Sequence, residues 1–151
     1  MVKRFSTTPI RRLDGITYWV IEDSDGIYDF INKEIRREWE ADARFECRNP
    51  EQDLWLRTLQ KRKWSLKILE VSHIKLNPDI MSYVDGKKGY NFSEALAIRS
   101  NELKHSIERY GLVIWPVIVR KEDSMLVDGY CRYTALKAMN VRRIYAYVGT
   151  L

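Results

Sequence analysis

Five consecutive residues, Asp128-Gly129-Tyr130-Cys131-Arg132, bring a carboxylate, a glycine and a guanidinium into one turn of chain. The stretch around them, 126–148, reads as a strand, an acidic-glycine turn, a short helix and a second strand. A helix opening at such a turn presents amides that lack intrahelical acceptors, at the positive end of its dipole. Anions are favoured there. Gly129 lets a ligand approach the backbone closely, and Arg132 offers a planar fork suited to phosphate. Gly129, Tyr130, Cys131 and Arg132 are therefore candidates to hold a phosphoryl group or nucleotide. The same residues also fit a purely structural turn, with Asp128 as the N-cap and Arg132 solvated.

The elements that must position this turn lie just upstream. Leu103, Ile107 and Tyr110 recur at helical spacing, with Ser93 a sensible N-cap and Gly111 placed to end the helix. After Pro116, the β-branched run Val117-Ile118-Val119 reads as a buried strand. Lys121-Glu122-Asp123-Ser124 supplies a polar turn, and Met125-Leu126-Val127 the next strand. The order is helix, strand, turn, strand, Asp-Gly turn, helix, strand.

In wording as well as order, this stretch resembles the ParB/sulfiredoxin superfamily. Ser106-Ile107 with Gly111, then Pro116-Val117-Ile118-Val119-Arg120, match the helix end and strand of a ParB N-terminal domain. Gly129, Arg132 and Ala135 match its glycine-arginine helix start, and residues 71–78 (VSHIKLNP) resemble its opening strand. The likeness covers roughly residues 66–148. It implies an α+β fold, a small mixed sheet with helices, carrying a helical N-terminal extension. The expected division is 1–64 for an N-terminal extension or cap, a strand and two helices, and 65–151 for the ParB/sulfiredoxin-like domain.

The turn residues separate the branches of that superfamily. Sulfiredoxins carry Gly-Cys-His-Arg, but Tyr130 stands at the cysteine position and Cys131 one place later. One helical residue rotates a side chain by about 100°, so sulfinic-acid reduction is not expected. Partition-type ParB proteins carry two arginines, of which Arg132 alone is matched, and continue into a DNA-reading domain. A stand-alone domain is the expectation here. The Asp-Gly-x-x-Arg pattern is most similar to a third branch that includes free-serine kinases, with both of its histidines replaced. That resemblance implies a nucleotide (ATP, ADP or CTP), with or without Mg²⁺, held by the helix start and Arg132. It implies Asp128 as the catalytic carboxylate and a second acid near the opening strand, for which Glu70 is the candidate. Glu70 also fits an exposed strand residue. The glycine-flanked Lys87-Lys88 in the loop 79–93 would add positive charge as a lid, or simply keep a loop tip soluble.

The first third carries no motif. Residues 16–22 (ITYWVIE) read as a strand, and Ser24 or Asp25 as the N-cap of an amphipathic helix. Ile27, Phe30, Ile31, Ile35 and Trp39 mark its inner face. Asn49-Pro50 looks like the start of another helix, with Trp55, Leu56 and Leu59 inward and Arg57, Lys61, Arg62 and Lys63 outward.

At 151 residues, one domain with a real core is expected. Hydrophobic content of 45% argues against long disorder. No apolar run approaches a membrane span and no signal peptide is evident, so no membrane partner is expected. Cys47 and Cys131 do not make a disulfide framework, which makes a reducing cytoplasm the default. A thiol at a helix start, as at Cys131, can have a lowered pKa, but such a cysteine is more often a small packed residue. His73 and His105 lack partners at ligand spacing, so no metal site is expected. A net charge of +5 keeps DNA or RNA as an alternative partner, contacted through Arg57, Lys61, Arg62, Lys63, Arg142 and Arg143 with nearby aromatics.

Overall fold

The apolar runs at 117–120, 125–128 and 143–150 form three of the four strands of a mixed sheet. The computed structural model describes residues 9–35, 61–87 and 89–151. In chain order these hold β1 (Ile10–Leu13), β2 (Ile16–Trp19), α1 (Ser24–Phe30), β3 (Lys63–Glu70) and α2 (Pro78–Met81). Next come β4 (Val84–Asp85), β5 (Tyr90–Asn91) and the long α3 (Phe92–Tyr110). β6 (Val117–Arg120), β7 (Met125–Asp128), α4 (Tyr130–Ala138) and β8 (Arg143–Thr150) complete the set.

The main sheet runs β3-β8-β6-β7. β8 pairs antiparallel with β3 along its whole length, from Lys63 opposite Thr150 to Glu70 opposite Arg143. On its other side β8 runs parallel to β6, and β6 turns back antiparallel into β7. An inner strand covered on both faces needs no polar alternation, and β8 is buried from Ile144 to Gly149.

Two apolar clusters sandwich this sheet. Val117, Val119, Leu126, Ile144, Ala146 and Val148 join Leu96 and Ile107 of α3 and Tyr133 and Leu136 of α4. Ile118, Val127 and Tyr147 join Trp64 and, from the N-terminal residues, Ile27 and Ile31. The architecture is thus α+β, with α3 and α4 on one face and α1 on the other. β3 begins at Lys63, so the first strand of the main sheet runs across position 64/65.

Local boundaries differ from the sequence expectation in instructive ways. The strand expected over 16–22 covers Ile16–Trp19 and is the second arm of a hairpin whose first arm, β1, was not foreseen. Asp14 and Gly15, at φ 49° and 83°, make the tight turn between them, as an Asp-Gly pair between strands does. The N-cap of α1 is Asp23, whose carboxylate accepts from Gly26 N–H at 2.8 Å. Its helix widens after Phe30 into a π-helical turn, Ile31–Ile35. Trp39 and the helix expected from Asn49-Pro50, with Trp55, Leu56, Arg57 and Leu59, lie outside the described residues.

The opening strand likewise sits earlier than expected. Residues 63–70 form it, whereas 71–73 make a 3₁₀ turn and Lys75 forms a single parallel bridge beside Met125 of β7. Asn77 caps the short α2 with Pro78 at its first position. For α3 the cap is Asn91, accepting from Glu94 N–H at 3.1 Å, because the Ser93 hydroxyl donates to Met81 O at 2.6 Å. Gly111 ends α3 as foreseen, in the left-handed conformation.

Candidate functional site

Asp128 closes β7 and Gly129, at φ 98° and ψ 29°, caps the start of α4. A Cβ at position 129 would lie 2.8 Å from Arg132 Nη2 and 2.9 Å from Val117 Cγ1. Only glycine allows that approach at that backbone conformation. The guanidinium therefore lies across the bare Cα, and Nη2 donates to Asp128 Oδ2 at 3.2 Å. Both side chains keep some access to solvent, 21% for Arg132 and 29% for Asp128. Asp128 makes no capping hydrogen bond, contrary to the plain structural alternative, because its carboxylate faces Arg132 instead.

The first intrahelical bond here runs from Tyr133 N–H to Gly129 O at 2.8 Å. The amides of Tyr130, Cys131 and Arg132 precede it and have no intrahelical acceptor. A tetrahedral anion at this turn would meet those amides and the guanidinium that lies over Gly129. Arg132 would then exchange one anionic partner, Asp128, for another.

Tyr130 is one of the expected phosphate ligands, but its side chain serves the core. The ring is 7% exposed and meets Phe92 edge-on at 5.8 Å. Its hydroxyl accepts from Asn77 N–H at 3.1 Å and donates to Leu126 O at 2.9 Å. Burial pushes the phenol up. Only its main-chain amide faces the turn's chemistry. Tyr130 instead ties the chain after β3 to the start of α4.

Cys131 takes the plainer of its two readings, a small residue packed against the core. Burial pushes its thiol up, outweighing the nearby charges of Arg99 and Arg132. Arg99, on α3, is a second cation close to the start of α4 that the sequence pattern did not single out. It donates to the Tyr90 hydroxyl at 3.5 Å. Nothing in its local spacing marks it, since the packing of α3 on α4 brings it there.

Glu70 is not brought to this turn. β3 and β7 are the two edges of the sheet, with two strands between them, which separates their axes by about 14 Å. Glu70 lies instead beside Met139, Asn140 and Arg142, beyond the far end of α4. That helix has nine residues, about 13 Å of rise. Lys87 sits exposed in the β4–β5 loop, its amide donating to Asp85 Oδ1 at 3.1 Å. Lys88 lies outside the described residues.

The basic set proposed for nucleic acid is divided by the fold. Arg62 is 6% exposed and grips Glu122 through its two terminal nitrogens, Nη1 and Nη2, at 2.5 and 2.6 Å. Arg62 also holds Glu122 well below the usual carboxylate range, at about 2. Arg143 is tied to Asp14, with Nη2 to Oδ1 at 3.0 Å. Lys61, Lys63 and Arg142 are exposed. Lys63 and Arg143 stand at opposite ends of the β3–β8 ladder, about 24 Å apart along the strand. The two clusters do not form one patch, and Arg57 lies outside the described residues. Among the described residues, no helix is long and apolar enough to cross a membrane.

No protein-family model matches the sequence, and no curated protein matches it. Solved structures similar in fold include a Pnob8-like ParB-N domain, at 14% identity and a TM-score of 0.42, over 60% of this chain and 32% of that one. A second structure of a pNOB8-like ParB N-domain matches at 13% identity and 0.41, over 60% and 29%. Sulfiredoxin from Arabidopsis thaliana matches at 20% identity and 0.38, over 55% and 82%. The chain thus spans about a third of the length of the ParB structures it matches.

Proposed function

We propose that this chain is a nucleotide-binding protein whose phosphate site is the Asp128-Gly129-x-x-Arg132 turn at the start of α4. The observation that carries this is the Arg132 guanidinium laid across left-handed Gly129, beside the open amides of the helix. Backbone amides without intrahelical acceptors, the positive end of the helix and a planar fork belong to one turn of chain, a combination that suits a phosphate better than any neutral group. The nucleotide class is ATP, ADP or CTP, with or without Mg²⁺.

Phosphoryl transfer or nucleotide hydrolysis is the reaction proposed for the site. When bound, the nucleotide supplies the phosphoryl group and its leaving oxygen. Arg132 holds the phosphate oxygens and offsets their charge, which is most of what such transfer asks of a protein. Asp128, released from Arg132, accepts the proton of the attacking hydroxyl or water. Tyr130 and Val117 fix the backbone around Gly129 from the core side. The test is a comparison of nucleotide turnover and binding in Asp128→Asn. Binding kept with turnover lost supports the assignment, and turnover kept removes Asp128 from the chemistry.

A DNA- or RNA-binding or adaptor module is the second reading, favoured by the exposed Lys61, Lys63 and Arg142. It predicts salt-steep binding that falls when those three are neutralised. Binding indifferent to salt would remove it.

A further inference from the structure

At the opposite end of α4 from Asp128, a cavity of about 550 Å³ opens between the end of β3, the β1–β2 turn and the start of β8. Its charged groups fall into two sets. Asp14 and Arg143 neutralise each other, with Oδ1 accepting from Nη2 at 3.0 Å and Oδ2 from the main-chain N–H at 3.0 Å and Nε at 3.3 Å. Glu70 and Arg142 do not. No described residue hydrogen-bonds the Arg142 guanidinium, whose charge acts only from a distance on Asp14, and Glu70 meets the exposed His73, Nε2 to Oε2 at 3.4 Å.

The backbone holds these two groups at fixed spacing. Val71 N–H donates to Arg142 O at 2.9 Å, and Glu70 stands opposite Arg143 in the ladder. Met139, itself packed against the core, adds an apolar wall. Asn140, left-handed at φ 59°, adds an amide able to donate and accept.

A simple anion entering here would be drawn by Arg142 and repelled by Glu70, and a simple cation would meet the reverse. A molecule carrying both charges satisfies both side chains at once. The volume falls within the range of small-molecule sites. We infer that this cavity binds a small zwitterion, its cationic end on Glu70 and its acidic end on Arg142. This site is separate from the proposed phosphate turn and stands whether or not that turn binds a nucleotide.

The test is a chemical-shift titration of the ¹⁵N-labelled full chain with three zwitterions of increasing charge separation, taurine, β-alanine and 6-aminohexanoate. Acetate and tetramethylammonium serve as single-charge controls. The expected result is saturable shifts at Glu70, Asn140 and Arg142 with at least one zwitterion, and about tenfold weaker binding of both controls. Arg142→Gln and Glu70→Gln should each abolish the shifts, and Arg132→Ala should leave them. Arg142 is exposed, so its variant keeps the test decisive should Glu70→Gln fail to fold. The inference is overturned if no zwitterion gives saturable shifts, if a control binds as tightly, or if Arg142→Gln binds like wild type.

Discussion

Arg132 Nη2 lies 3.2 Å from Asp128 Oδ2, and its guanidinium covers the bare Cα of Gly129 between them in sequence. Acid, glycine and arginine therefore act as one unit at the start of α4. Whatever enters the turn must engage Arg132 in competition with Asp128.

Gly129→Ala tests the steric half of that unit. The new methyl would sit 2.8–2.9 Å from Arg132 Nη2 and Val117 Cγ1, on a backbone at φ 98°. We expect a loss of about 1–3 kcal/mol in urea unfolding, together with displacement of Arg132. Unchanged stability would mean that the turn is not held as described.

Tyr130→Phe separates structure from ligand binding at the same helix start. It removes the partner of Asn77 N–H and a donor to Leu126 O, at a cost of about 1–3 kcal/mol. Phosphate binding should survive, because only the main-chain amide of Tyr130 faces the turn. Binding lost in a folded variant would return the hydroxyl to the site.

Legibility from sequence followed the range of the interactions. The Asp128-Gly129 turn, the 117–119 strand and the Gly111 helix end were readable because each depends on residues adjacent in the chain. β1 is also legible in principle, since Asp14-Gly15 between two short strands is a hairpin signal. The commitments of Tyr130 to Asn77, of Arg62 to Glu122 and of Arg143 to Asp14 were not readable. Each joins residues 53 or more positions apart, brought together only by the tertiary fold.

The Arg62–Glu122 pair predicts a pH dependence. Arg62 lowers the Glu122 carboxyl from its ordinary 4.5 to about 2. A depressed folded value means that this contribution is complete above pH 4.5 and disappears as pH falls through about 2. Wild type should therefore lose more stability than Glu122→Gln between those limits, read by urea midpoints. At neutral pH, Glu122→Ala should cost about 2 kcal/mol, because Arg62 stays buried without its partner. Parallel acid profiles for wild type and Glu122→Gln would contradict the pairing.

Cys131 should be a slow nucleophile. Burial raises its thiol, so little thiolate exists at neutral pH. Alkylation of the Cys131 peptide by iodoacetamide, followed by mass spectrometry, should lag behind the same peptide in unfolded chain. Faster labelling in the folded protein would point to an activated thiol.

The most direct measurement is calorimetric titration of ATP, ADP and CTP, with Mg²⁺, into wild type and Arg132→Ala. The account predicts saturable binding of at least one nucleotide by wild type and its loss in the folded variant. No binding by wild type, or equal binding by Arg132→Ala, would contradict it.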